Sequence, residues 1–140
     1  MSSPEIYLDN AATTRPAPCV LETLAEVAAA RTGNASALHP PGVRAARHVE
    51  RARGILCHAL GCQPKELVFT GGGTEANNLA LKGVAFAAGV QGAHLVTTEI
   101  EHPSVSQAAA FLSRQGCAVT VLPVDGDGVV DPARVAGAIT

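Results

Sequence analysis

The sequence predicts an α/β fold in which a mostly parallel sheet is flanked by helices. Short apolar runs, typical of buried strands, alternate with longer segments whose apolar residues recur at helical spacing. This alternation favours parallel pairing of the strands, with helices in the connections. The chain has 140 residues, 47% of them hydrophobic, which is enough for the core of one domain.

The first part of the chain, residues 1–62, is predicted to hold an N-terminal arm and two helices. Residues 6–8 form a short apolar run, typical of a brief strand or an extended arm. We expect one helix from Pro18 to Ala30, closed by Gly33 and Asn34, and a longer helix from about Gly42 to Leu60. The apolar stripe of the longer helix comprises Ala45, Val49, Ala52, Leu56 and Ala59.

The second part, residues 63–140, is predicted to alternate strand and helix. Strands are expected at residues 67–69, 94–98 and 119–122, with a short extension at 129–130. Helices are expected after the glycines at 71–73, from Ser104 to Gln115, and after Asp131, which precedes Pro132 and can cap the helix. The stripe of the first of these helices comprises Ala76, Leu79, Ala80, Gly83, Val84 and Ala87, and that of the second Val105, Ala108, Ala109 and Leu112.

Composition argues against several classes of protein. The formal net charge is −2, whereas proteins that bind nucleic acids carry a basic face. No apolar run is long enough to cross a bilayer, and residues 1–10 lack the features of a secretory signal. The four cysteines form no C-x-x-C pair and have no zinc spacing. We therefore expect free thiols, no metal site, no nucleic-acid or membrane partner, and a cytoplasmic location.

Three consecutive glycines, Gly71 to Gly73, lie between a predicted strand and a predicted helix. A helix N-terminus presents unpaired N–H groups and the positive end of the helix dipole, and glycine lets an anion approach the backbone closely. Thr74 adds a hydroxyl at the helix start. The pattern is neither that of a P-loop nor the G-x-G-x-x-G of dinucleotide-binding proteins. From the glycines alone, an anion site and a plain tight turn fit equally well.

His102 is a second candidate site residue. It follows the strand predicted at 94–98 and precedes Pro103, so it lies at a helix start at the carboxyl end of a strand. Ligands of open α/β sheets bind at this edge, and the glycine turn lies at the same edge. An imidazole can stack on a flat ring or accept a proton, and the alternative is a surface histidine that caps the helix. Glu99 and Glu101, two apart on an extended segment, point in opposite directions and receive no acid–base role.

Four stretches of the sequence together resemble a known family. They are Y-L-D-N-A-A-T-T, G-N-A-S-A-L-H, V-F-T-G-G-G-T-E-A-N-N-L-A and T-E-I-E-H-P-S-V, in that order. In this they are similar to the cysteine desulfurases of the NifS/IscS type, which are pyridoxal-phosphate (PLP) enzymes of the class V aminotransferase family. The resemblance covers essentially the whole chain. It implies that residues 63–140 are the front part of the large PLP-binding domain of a fold type I transferase.

The resemblance assigns roles to particular residues. Gly73 and Thr74 match the pair that holds the PLP phosphate. His102 matches the histidine that stacks on the pyridine ring, with a further role in proton transfer. The segments implied to lie near the active site are residues 10–13 and the loop that contains Asn34 and His39.

The resemblance also implies an activity and partners. The family removes sulfur from L-cysteine, which yields L-alanine and a persulfide on an enzyme cysteine. The sulfur then passes to an iron–sulfur cluster scaffold or another acceptor protein, and the complete enzymes are homodimers.

The chain also departs from the family pattern. Gly71 stands where the family often has serine, which removes one side-chain contact to phosphate. The family's Schiff-base lysine, its pyridine-pairing aspartate and its sulfur-accepting cysteine lie further along, and neither Lys65 nor Lys82 fits the lysine position. The chain is therefore expected to be an N-terminal portion that is inactive alone. The alternatives are another class V enzyme, such as a selenocysteine lyase or an aminotransferase, or a non-catalytic module that binds a phosphate ligand or a partner.

Overall fold

The computed structural model describes residues 6–30 and 33–139. Residues 1–5 of the predicted arm and Thr140, where the last helix was expected to finish, lie outside the described residues. The chain divides into two compact units, residues 1–67 and 68–140. Each unit is described by itself.

The described residues hold five α-helices and two strands. The helices are α1 (Pro18–Ala29), α2 (Pro40–Leu60), α3 (Gly73–Ala87), α4 (Pro103–Arg114) and α5 (Pro132–Ala138). The strands are β1 (His94–Thr98) and β2 (Ala118–Leu122), and single turns of 3-10 helix occupy Pro64–Glu66 and Val90–Gly92. The predicted α/β class is confirmed. In the described ranges, no helix combines the length and the hydropathy that a membrane crossing requires.

Prolines begin both helices of the first unit. α2 starts at Pro40, two residues earlier than predicted, because Pro40 and Pro41 suit the first helical positions and His39 caps the helix. It ends as predicted at Gly61, whose φ of 68° is left-handed. α1 ends at Ala29, before the predicted stop at Gly33, because the backbone of Ala30 is extended (φ −67°, ψ 130°).

The sheet of the second unit consists of β1 and β2, which pair in parallel. The register runs from His94 opposite Ala118 to Thr98 opposite Leu122. α4 forms the crossover between the strands, as parallel pairing requires. The predicted parallel pairing is therefore confirmed, and the predicted strand at residues 94–98 has the bounds of β1.

The core of the second unit lies between α3, α4 and the strands. Leu112 is 1% exposed and forms a buried cluster with Ala85 and Cys117. Partly buried side chains packed against this cluster are Leu81, Val90, Ala93, Leu95, Phe111 and Val119. The predicted stripe of α4 is confirmed, because Ala108, Ala109 and Leu112 are buried and Val105 is partly buried.

Three predicted extended segments are not strands. Residues 67–69 have no regular structure, and Val68 and Phe69 are 63% and 47% exposed, so the prediction of a buried strand there is wrong. Residues 129–130 and the apolar run at 6–8 also lack strand structure. A strand needs a neighbour for its backbone N–H and C=O groups, and among the described residues only β1 and β2 pair with each other.

The predicted stripes of α2 and α3 do not form the core. In α3 the side chains that reach the core are Leu81 and Ala85, whereas Leu79 and Val84 are exposed. α3 carries apolar residues on more than one face, and within the described residues only the face toward α4 is covered. In α2 the buried residues are Gly42 and Cys57, and the predicted stripe is exposed apart from the half-buried Ala45.

Candidate functional site

The glycine turn leaves open space at the start of α3. Gly72 is the N-cap and has extended backbone geometry (φ 164°, ψ 176°), and none of the three glycines is left-handed. A Cβ added at Gly72 or Gly73 would meet no atom within 4 Å. Neither backbone strain nor internal packing therefore requires glycine at these two positions. The glycines leave the start of α3 uncovered by side chains of their own.

Backbone donors at this helix start are free. The first helical hydrogen bond joins the N–H of Ala76 to the carbonyl of Gly72, at 3.0 Å. Within the described part of the chain, the N–H groups of Gly73 and Thr74 donate to no acceptor. Thr74 is exposed, at the second helical position. Together with the helix dipole, these groups fit a phosphate.

The Glu75 carboxylate closes the turn. It accepts a hydrogen bond of 2.6 Å from the N–H of Gly71, a contact that the sequence analysis did not predict. A Cβ at Gly71 would lie 3.1 Å from the same carboxylate oxygen. Because Gly71 has no side chain, the Glu75 side chain can fold back onto the turn and its carboxylate can bind the N–H of Gly71.

His102 lies at the start of α4, as predicted. It is the N-cap, and its Nδ1 accepts a hydrogen bond of 3.1 Å from the N–H of Ser104. The loop between β1 and His102 is held by two carboxylates. Glu99 accepts from the N–H of Val124 and Glu101 from the hydroxyl of Thr98, both at 3.1 Å. Both acids thus have structural partners, and the loop places His102 beyond the carboxyl end of β1.

One hydrogen bond links the starts of α3 and α4. The side-chain amide of Asn77, one turn after Gly73, donates to the hydroxyl of Ser104 at 2.9 Å. The same hydroxyl lies 2.8 Å from Nδ1 of His102. Thr74 and Ser104 also line one groove between the two helices. The structure thus brings Gly73, Thr74 and His102 to one end of the α3–α4 pair.

Asn77 and Ser104 belong to this site although neither was predicted to. Two consecutive asparagines inside a predicted helix could have indicated them, because asparagine is a poor helix former whose side chain competes for backbone hydrogen bonds. Asn78 bonds the carbonyl of Thr74 in its own helix at 2.9 Å, whereas Asn77 reaches another helix. Sequence spacing does not distinguish these two outcomes.

The other residues implied by the resemblance lie in the first unit. The Asn34 side chain accepts from the N–H of Ser36 at 2.9 Å, and Nδ1 of His39 accepts from Gly42 at 3.3 Å. A Cβ at Gly42 would lie 2.7 Å from the Asn34 carbonyl oxygen, so glycine is required there. Residues 10–13 belong to a turn in which the Asp9 carbonyl accepts from the N–H of Ala12 at 3.2 Å. The roles of these residues toward a cofactor stay predictions.

The four cysteines form no disulfide within the described residues, and one lysine packs against an aromatic ring. Cys19, Cys57, Cys62 and Cys117 are free thiols, as predicted. Burial raises the pKa of the Cys57 thiol, and its contact with the Cys62 thiol raises it further. The ammonium group of Lys82 lies 4.5 Å from the centre of the Phe111 ring, as a cation–π pair on the α3–α4 surface.

Comparison with known proteins identifies relatives of this chain. Residues 6–140 match the family model described as aminotransferase class-V. The cysteine desulfurase IscS of Dictyoglomus turgidum is 42% identical over 128 residues, which are 91% of this chain and 32% of the relative.

Two solved structures share its fold. A NifS-like protein superposes with a TM-score of 0.86 at 35% identity, over 93% of this chain and 36% of that one. SspA in complex with cysteine superposes with a TM-score of 0.84 at 37% identity, over 93% and 38% of the two chains. The chain spans about a third of the length of the curated relatives that it matches.

Proposed function

Because the chain belongs to the aminotransferase class-V family, we propose that it supplies the phosphate-binding turn and the ring-stacking histidine of a PLP-dependent cysteine desulfurase. The cysteine desulfurases of this family depend on PLP. Curated relatives with 39–43% identity are named cysteine desulfurase or NifS homologue, and the related SspA structure contains cysteine. The proposed substrate is L-cysteine, with L-alanine and a persulfide as the products.

One observation carries the proposal. The free N–H groups at the start of α3 and the imidazole at the start of α4 are tied together by the hydrogen bond from Asn77 to Ser104, at 2.9 Å. A turn that binds only an anion does not need a flat ring beside it. A phosphate group attached to an aromatic ring uses both features, and PLP has this chemistry.

In the proposed mechanism, the residues of this chain bind and orient the cofactor. Gly73 and Thr74 donate to the phosphate from the helix start, where the dipole favours negative charge. His102 would stack on the pyridine ring and limit its movement. When bound, PLP supplies the electron sink that allows the carbon–sulfur bond of the substrate to break. The Schiff-base lysine, the pyridine-pairing aspartate and the persulfide cysteine are proposed to come from outside residues 1–140.

The same proposal extends to partners and location. The complete enzyme is proposed to be a homodimer that passes sulfur to an acceptor protein or an iron–sulfur scaffold. A cytoplasmic location is proposed because all four cysteines are free, which suits a reducing compartment.

The test is a chimera in which this chain replaces the matching segment of the Dictyoglomus turgidum desulfurase. We expect it to bind PLP and to release sulfide from L-cysteine. Leu60→Ala, at a side chain that is 66% exposed, serves as a control that retains activity. Turnover of L-selenocysteine but not of L-cysteine would favour a lyase, and PLP binding without turnover would favour the non-catalytic module. A folded chimera that binds no PLP would contradict the proposal.

A further inference from the structure

Three side chains from two helices form a continuous hydrogen-bond chain at the candidate site. It runs from the amide of Asn77 to the hydroxyl of Ser104, at 2.9 Å, and from that hydroxyl to Nδ1 of His102, at 2.8 Å. The N–H of Ser104 reaches the same nitrogen at 3.1 Å. Ser104 is 8% exposed, so its hydroxyl depends on these protein partners.

The chemistry of the donors fixes the direction of this chain. A backbone N–H can only donate, so Nδ1 of His102 presents a lone pair to Ser104. The Asn77 amide group donates to the Ser104 oxygen, which leaves the hydroxyl proton of Ser104 free to point at Nδ1. Both groups of Ser104 therefore donate to one ring nitrogen.

We infer that Asn77 and Ser104 are positioning residues that hold the neutral His102 ring as the tautomer with its proton on Nε2. The unbonded edge of the ring then offers an N–H, which donates a hydrogen bond to a ligand oxygen or nitrogen. His102 thus combines stacking on a ligand ring with donation of a hydrogen bond from Nε2. The inference rests on the proposed function only for the identity of the ligand.

A spectroscopic measurement tests this inference without any cofactor. In protein labelled with ¹⁵N-histidine, long-range ¹H–¹⁵N correlation shows which ring nitrogen carries the proton. The His102→Asn variant, which keeps a capping side chain, identifies the signals of His102 by their loss. We expect a larger Nε2–H fraction for His102 than for His48, which is exposed on α2.

Variants separate positioning from general structure. Ser104→Ala removes the hydroxyl donor, so the two nitrogen shifts of His102 should move toward those of His48. Asn77→Ala should cause a smaller change of the nitrogen shifts in the same direction. Ser104→Thr keeps a hydroxyl and should leave the shifts at their wild-type values. Ser106→Ala, at an exposed serine of the same helix, is the matched control and should change nothing.

Two results would overturn the inference. One is a wild-type His102 with its proton on Nδ1. The other is a His102 tautomer fraction that Ser104→Ala leaves unchanged, because the backbone N–H of residue 104 would then fix the tautomer without the hydroxyl. The wild-type spectrum decides the first of these even if a variant fails to fold. Because no cofactor is present, either result would leave the proposed PLP site to be judged by the chimera.

Discussion

At the residue scale, His102 combines two roles that can be separated by substitution. Its Nδ1 caps α4, and its ring is proposed to stack on the cofactor. Asparagine is a good N-cap without an aromatic ring, and phenylalanine is an aromatic ring without a capping group. The asparagine variant therefore lacks the aromatic ring, and the phenylalanine variant lacks both ring nitrogens.

We predict opposite effects for His102→Asn and His102→Phe. The asparagine variant should keep the stability of the protein but lose about two- to twelvefold in affinity for pyridoxine 5′-phosphate, since stacking is worth about 0.5–1.5 kcal/mol. The phenylalanine variant keeps an aromatic face but lacks the Nε2–H donor, so it should lose less affinity than the asparagine variant, and it should lose about 1 kcal/mol of unfolding free energy. Fluorescence titration and urea unfolding measure the two effects. Equal affinity losses in both variants would refute the stacking role.

The positions of Gly73, Thr74 and His102 at helix starts were predictable, because glycine, proline and capping residues act locally. The link between them was not. Asn77 and Ser104 are 27 positions apart, and their hydrogen bond depends on how α3 packs against α4. Local sequence rules contain no information about that packing.

At the element scale, the boundaries of β1, α4 and α5 follow from local cues, whereas the buried face of α3 does not. The apolar residues of α4 lie on one side, so the helix has one way to bury them. α3 has several apolar faces, and its neighbour α4 selects the face with Leu81 and Ala85. Periodicity alone therefore predicts that α3 is a helix but not its orientation.

The packing of α4 predicts a large cost for shortening Leu112. This side chain is 1% exposed, at the centre of the buried cluster. We expect Leu112→Ala to lower the unfolding free energy by about 2–5 kcal/mol, because it removes buried contacts and leaves a cavity. Leu60→Ala, at a side chain that is 66% exposed, should cost about 0.5 kcal/mol or less. Urea unfolding followed by circular dichroism measures both values, and similar costs would contradict this packing.

The end of α2 predicts a dependence of stability on pH. Gly61, in the left-handed conformation, ends α2. The chain then turns back so that the N–H of Cys62 donates to the carbonyl of Cys57 at 3.0 Å, and this hydrogen bond brings the two cysteines together. Burial raises the pKa of the Cys57 thiol above its ordinary value of 9.0. Above pH 9 the unfolded thiol ionises while the folded one keeps its proton. The stabilising contribution is therefore full below pH 9 and is lost as pH rises through the folded pKa.

Removal of this thiol should remove its part of the pH dependence. Cys57→Ala is expected to make the decline of unfolding free energy above pH 9 less steep than in the wild type. Cys19→Ala, at an exposed cysteine, is the matched control and should keep the wild-type decline. Unfolding curves recorded across the alkaline range test this. A decline of equal steepness in both variants would contradict the raised pKa of Cys57.

At the scale of the whole molecule, the α/β class and the parallel pairing were predictable from the alternation of elements. The strand predicted at residues 67–69 does not form. A strand is stable only beside a partner strand, and the sequence of the strand itself does not specify that partner. The chain spans about a third of its relatives. The second unit nevertheless brings the glycine turn and His102 together through contacts within residues 68–140.

The start of α3 is proposed to hold the phosphate of a pyridoxal cofactor. The most direct test compares pyridoxine 5′-phosphate with pyridoxine, on the wild type and on Thr74→Ala. Neither probe has an aldehyde, so neither forms an imine with a lysine, and the chain has no tryptophan to obscure ligand fluorescence. We predict that Thr74→Ala lowers affinity for the phosphate ester about tenfold and leaves that for pyridoxine unchanged. An equal loss for both ligands, or no loss for either, would contradict the claim.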